Sequence, residues 1–141
     1  MRFLAALFLG IPFTWNEIPL SIVLANNVGL MNIEEIRMFA LGLDPQVTEE
    51  LFVENWIDWR IGGKWFMLLQ LDAPEARVCV KLPPDKGLEL RDRYDGVRPA
   101  YHMNKRHWND LYLDRLPDSL IRELITVSFN LVKNKHFKGA S

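Results

Sequence analysis

Gly62-Gly63 sits between two strand-like runs, and no other feature constrains the fold of this chain as strongly. Glycine reaches positive φ without steric penalty, so the pair reads as a tight hairpin turn. Before it, Ile57, Trp59 and Ile61 alternate with Trp56, Asp58 and Arg60, the period-two pattern of a strand. After it, residues 64–71 are apolar on both faces over most of their length. That predicts a central strand covered on both sides. Asp72-Ala73-Pro74-Glu75 turns the chain again, and residues 77–82 form a third strand. Three strands on such short connections make an antiparallel meander.

Helices flank the meander. Asn32 with Glu35 three residues on is a helix-start pattern, because the Asn side chain can cap a free N–H and the acids sit at the positive end of the dipole. Ile33, Ile36, Ala40 and Leu43 follow at helical spacing, and residues 42–45 stop the run. Residues 47–52 read as a strand or an ordered lead-in. Pro83-Pro84-Asp85 opens a second helix to about Tyr94, with Leu88 and Leu90 as its apolar contacts. Residues 107–114 return to a strand, with Leu111 and Leu113 on one face and Trp108 and Tyr112 on the other. Pro117-Asp118 opens a last helix, with Leu120, Leu124, Val127 and Leu131 as its stripe and Ile121, Ile125 and Val132 widening it. The basic segment 133–138 is expected to fray. Adjacent strands between helices imply an α+β fold of two layers, helices on an antiparallel sheet.

Residues 1–30 read differently from the rest. Two short apolar stretches are split by Pro12, Asn16, Glu17 and Pro19, and neither approaches the ~20 residues of a spanning helix. The segment is read as an N-terminal extension, either upstream of a start at Met31 or signal-like, ahead of a domain at 31–141. No membrane association is expected, and a cytoplasmic location is. Cys79 is the only cysteine, which suits a reducing compartment, and its β-branched neighbours Val78 and Val80 mark it as a small buried hydrophobe.

The formal net charge of -1 gives no broad field toward nucleic acid. The charge is unevenly placed, however. Nine acids face three bases between Met31 and Ala76, whereas thirteen bases face eight acids from Arg77 onward. Such asymmetry marks either a polar binding surface or two solvated faces.

The least core-like stretch is residues 98–114. Its two histidines, His102 and His107, are five apart and could share a site with Asp110 or Asp114, but zinc wants at least three protein ligands and no third His or Cys lies nearby. No metal and no cofactor are expected. Ser119 and Ser128 lack a glycine-rich elbow, Cys79 lacks a base, and Asp92 with Asp95 or Asp110 with Asp114 follow ordinary surface spacing. Nothing here argues for an enzyme. Nucleic-acid binding has more behind it: Arg98, Lys105 and Arg106 suit phosphates, Asn104 and Asn109 suit base edges, and Trp108 or Tyr101 suits stacking. The competing reading makes Trp108 and Tyr112 core, with Pro99 and Asn104 shaping the turn.

From Met31 to about residue 135 the chain resembles the MmcQ/YjbR family of small bacterial proteins. The resemblance rests on Arg98-Pro99-Ala100-Tyr101-His102-Met103-Asn104-Lys105-Arg106-His107-Trp108, on Leu111-Tyr112-Leu113-Asp114, on Leu116-Pro117-Asp118 and on Ser128-Phe129. Gly63-Lys64-Trp65-Phe66 and Val80-Lys81 support it. Phe129 departs from the family's usual Tyr and removes a hydroxyl. The resemblance implies the order α-β(3)-α-β(2)-α, akin to secretion chaperones and frataxin-like CyaY. It also implies non-enzymatic DNA binding through a double-wing motif. The matching positions are His102, Asn104, Lys105, His107 and Trp108, and with Arg98 and Arg106 as phosphate contacts they make up the expected nucleic-acid-binding residues. The rival from another class is a protein-interaction or chaperone-like module, with the loop purely structural and a protein partner instead of DNA.

Overall fold

The computed structural model describes residues 31–51, 53 and 55–140, and side chains up to residue 135. The N-terminal extension expected at 1–30 lies outside the described residues, as does the end of the 47–52 run at Phe52.

The chain order is α1 (Ile33–Leu41), β1 (Thr48–Leu51), β2 (Trp56–Ile61), β3 (Lys64–Gln70), β4 (Arg77–Lys81), α2 (Pro84–Arg93), β5 (Val97–Pro99), β6 (Trp108–Tyr112) and α3 (Asp118–Ala140). The six strands form one sheet in the order β1-β2-β3-β4-β6-β5, with every pair antiparallel. This is the expected α+β architecture with one strand added: the lead-in before the hairpin pairs fully with β2 and makes the order α-β(4)-α-β(2)-α. The hairpin turn falls at Gly62 and Gly63, both at positive φ (60° and 77°).

The Asn32 side chain caps α1 as expected, its Oδ1 accepting from Glu35 N–H at 2.9 Å. Glu49 on β1 joins two layers, accepting from Arg37 Nε at 2.8 Å and from Trp59 Nε1 at 2.9 Å. Burial pushes its carboxyl above the usual range against the pull of Arg37 and Trp59.

α3 packs across β2, β3 and β4 and touches α1. Its buried residues are Ile121, Leu124, Ile125, Ser128, Phe129 and Val132. The inward face is therefore centred on the residues expected only to widen the stripe, while Leu120, Val127 and Leu131 lie at its margin. The rotation follows from Ser128, whose hydroxyl is drawn into the sheet. The helix runs on through the basic segment to Ala140, since no proline or glycine interrupts it before Gly139. On α2 the buried face is Gly87 and Leu90, and Leu88 is 59% exposed, one position off that face.

β3 carries a bulge. Trp59 pairs with Met67 and Arg60 with Trp65, so Phe66 has no partner on β2. Phe66 and Met67 both enter the helix-side core, with Phe66 edge-on to Phe129 at 5.4 Å between ring centroids. Trp65 and Leu68 thereby both face away from the helices.

Candidate functional site

The helix-free face of the sheet is where the polar and aromatic residues gather. Strand alternation places Trp56, Asp58 and Arg60 of β2, Leu68 and Gln70 of β3, Arg77, Cys79 and Lys81 of β4, and Trp108, Asp110 and Tyr112 of β6 on this side. Leu68, Cys79, Ala100 and Trp108 form a second, small core here, with Trp56, Trp65 and Met103 packed against it. Residues 100–107 fold over β6 as its cover.

The cover is held by backbone bonds. Asn104 C=O accepts from His107 and Trp108 N–H at 3.2 and 2.9 Å, Asn104 Oδ1 accepts from Arg106 N–H at 2.9 Å, and Ala100 N–H donates to Trp108 C=O at 3.0 Å. Asn104 is thus the residue that closes the turn. Asp110 is buried beneath the loop, with Arg77 Nε 3.6 Å away and hydrogen bonds from the Tyr101 backbone and the Cys79 thiol. Burial raises its pKa, and Arg77, Tyr101, Cys79 and His102 oppose the rise. Burial and the neighbouring carboxylate push the Cys79 thiol well up, so it stays protonated and inert.

Between the loop and β2–β3 lies a cleft of about 490 Å³ lined by Trp56, Trp65, Leu68, Gln70, His102 and Met103. His102 stands edge-on to Trp56 at 5.9 Å and to Tyr101 at 4.7 Å. Tyr101 itself is 75% exposed at the lip, with Lys105 Nζ 5.9 Å from its ring. Asp58 is fully buried beside the cleft and receives both arms of Arg60, at 2.9 and 3.1 Å, while that guanidinium lies 5.7 Å over the Trp65 ring.

At the hairpin end of the sheet, basic side chains converge. Lys81 has its pKa lowered by burial and by Lys135 and Lys64, and His107 by burial and by Lys81, Arg106 and Lys135. Among the described residues, Lys64, Lys81, Arg106 and Lys135 form no salt bridge. Most arginines do: Arg37 with Glu49, Arg60 with Asp58, Arg77 with Asp110, Arg98 with Asp95, Arg115 with Glu75 and Arg122 with Asp118. Four of the seven described Lys and Arg side chains without a salt bridge therefore gather at this end, the others being Lys86, Arg91 and Lys105.

The seven residues singled out in the sequence separate into three groups. Arg106 and His107 join the cationic end. His102 lines the cleft, and Lys105 lies at its lip beside Tyr101. Asn104, Trp108 and Arg98 have structural contacts: Asn104 closes the loop, Trp108 is buried at 9% under it, and Arg98 holds Asp95 by its carboxylate and its carbonyl. Asn109 is fully buried, accepting from Arg91 Nε at 2.8 Å and donating to His107 C=O at 3.3 Å, so it presents no edge to a base. His102 and His107 do not converge, and no three His, Cys, Asp or Glu side chains among the described residues could hold a metal ion. Sequence reasoning missed Lys64, Lys81 and Lys135, which lie on three different elements. It also passed over Trp56 and Trp65, although their strand alternation already placed Trp56 off the core.

A family model described as YjbR matches residues 44–131. The chain belongs to the YjbR family. It is 41% identical over 107 residues to the uncharacterized protein YjbR of Escherichia coli (strain K12), covering 74% of this chain and 89% of that one. It is 39% identical over 75 residues to the uncharacterized protein YbdF of Escherichia coli O157:H7, a match spanning 52% of this chain and 62% of YbdF. Among solved structures it is similar to Deinococcus radiodurans protein DR2400, of domain family DUF419, with a TM-score of 0.70 and 26% identity over 75% of this chain and 81% of that one. A Pseudomonas syringae protein gives a TM-score of 0.65 at 28% identity, over 72% of this chain and 99% of that one. The two solved structures share the α+β fold described above. No helix among the described residues is long and apolar enough to cross a membrane.

Proposed function

We propose that this YjbR-family protein is a non-enzymatic, cytoplasmic nucleic-acid-binding protein that takes the phosphate backbone at the hairpin end of its sheet. The observation that supports this reading is the cluster of Lys64, Lys81, Arg106 and Lys135 with His107. Burial first, and the repulsion of neighbouring cations after it, depress the pKa values of Lys81 and His107, and no described carboxylate neutralises the four Lys and Arg side chains. A site that repels its own charges gains most from a polyanion, which relieves the repulsion and releases counterions. Lys105 extends the surface along the loop. Arg98, already engaged by Asp95, contributes less than its exposure implies.

The test is fluorescence anisotropy of labelled DNA, titrated at several salt concentrations. Binding is expected to weaken steeply with salt, and Lys81→Ala with Arg106→Ala to flatten the logarithmic slope by about 2, one per lost phosphate contact. Binding with no salt slope, or a double mutant that keeps the parental slope, would refute it. A salt-sensitive affinity for acidic peptides that exceeds the affinity for DNA would turn the surface over to a protein partner.

A further inference from the structure

We infer that the cleft on the helix-free face receives a single unpaired nucleobase, so that the ligand is single-stranded nucleic acid. This rests on the nucleic-acid reading above and goes beyond it by naming the strand form and the second half of the site.

The chemistry of the lining selects the occupant. Trp56 and Trp65 supply two indole faces, Met103 a polarisable thioether and Leu68 an apolar floor. At about 490 Å³ the cleft falls within the ~300–1,000 Å³ typical of small-ligand sites. Its neighbouring charges are already matched. Asp58 holds both arms of Arg60, and Asp110 is covered by Arg77, Cys79 and the Tyr101 backbone instead of lining the space. The occupant is therefore neutral, flat and aromatic, with its charge carried elsewhere. Gln70 gives the cleft a polar end. Its Oε1 accepts from Arg77 at 3.4 Å, leaving amide N–H donors for a ring nitrogen or carbonyl.

The place for the charge adjoins the cleft. Lys81 stands two positions beyond Cys79 on the cleft's face of the sheet, while Lys64, opposite Ile61, lies on the helix side of the same hairpin end, so the cationic cluster reaches the cleft's face through Lys81. A nucleotide with its base between loop and sheet would direct its phosphates toward that end. A paired base within a duplex stack has no flat face to offer a concave site, whereas a single strand does. Tyr101, 75% exposed at the lip, is a platform for the next base.

The experiment compares three ligands at one salt concentration: a mixed-sequence single strand, an abasic phosphodiester strand of the same length, and a duplex. The full chain is titrated in each case by anisotropy. The expected result is at least ~10-fold tighter binding of the normal strand than of the abasic strand, the range of one stacked base. Trp56→Ala should bring those two ligands to the same affinity. Gln70→Glu, which keeps the shape and adds a negative charge, should cut the difference independently should Trp56→Ala fail to fold. Lys81→Ala with Arg106→Ala should weaken normal and abasic strands alike. Equal affinity for normal and abasic strands, or a duplex bound as tightly as the single strand, overturns the base-pocket inference and leaves the phosphate-binding reading standing. Loss of the difference in neither cleft variant also overturns it. No binding of any of the three at low salt removes both.

Discussion

Ser128→Ala tests the junction that fixes the cationic end of the sheet. Ser128 is fully buried on α3, its hydroxyl donating to Phe66 C=O at 2.6 Å and accepting from Lys81 N–H at 2.8 Å. The bulge has withdrawn Phe66 from its β2 partner, and the β3–β4 register runs only from Met67–Val80 to Leu69–Val78. One hydroxyl thus bridges a carbonyl and an amide beyond the end of the ladder. Alanine removes that bridge and leaves two buried backbone groups unsatisfied, at about 1–3 kcal/mol each. Better helix propensity returns about 0.5 kcal/mol. The hole left by one oxygen is too small to admit a water as replacement. A net loss of about 2–4 kcal/mol is expected, read as a lower urea midpoint at constant slope. Ser119→Ala, at an exposed position on the same helix, is the control and should stay within about 0.5 kcal/mol. A Ser128→Ala loss no larger than the control's would refute the bridge as a source of stability.

Three further outcomes follow from the geometry. Gly96→Ala should cost about 1–3 kcal/mol by the same assay, because a Cβ there would lie 2.8 Å from Leu116 Cγ and 2.9 Å from Arg115 Cβ. Asp110 has a folded pKa raised above its ordinary 3.8, so the native state binds the extra proton; the stability this contributes is full below 3.8 and is lost as pH rises through the raised value. Asp110→Asn should reduce that fall in the urea midpoint, while Glu49, shifted in the same direction, preserves part of it. His107 is held below its ordinary 6.5 in the free protein, and phosphates would raise it, so nucleic-acid affinity should climb as pH falls through and below 6.5. His107→Gln should flatten that climb in anisotropy titrations across pH.

The meander was legible because local chemistry and fold agree there: the Gly62-Gly63 turn, the alternation of 56–61 and the doubly apolar 64–71 each specify a central hairpin. The short β1 was ambiguous because Thr48-Glu49-Glu50-Leu51 carries little strand signal of its own and is held by pairing with β2. The inward face of α3 was misjudged because Ser128, a polar residue, marks its centre. Hydropathy cannot see a hydroxyl that satisfies a sheet. Arg106 and His107 stood out for their density in one loop, but Lys64, Lys81 and Lys135 are single lysines on a hairpin, a strand end and a helix. Only the three-dimensional arrangement makes them neighbours. The role of Phe129 against Phe66 was equally hidden, since the partner becomes available through an unpaired residue that composition does not reveal.

That unpaired residue also bears on how such a chain can change over generations. Because Phe66 is the extra residue of β3 opposite β2, its removal would restore regular pairing and leave Trp65 opposite Arg60, still facing away from the helices. The sheet would keep its two sides unchanged. The interior would lose the ring that meets Phe129, and Ser128 would lose its Phe66 acceptor. The extra residue thus serves the helix and not the strand pairing, so homologous chains that keep Ser128 and Phe129 are expected to keep it with them.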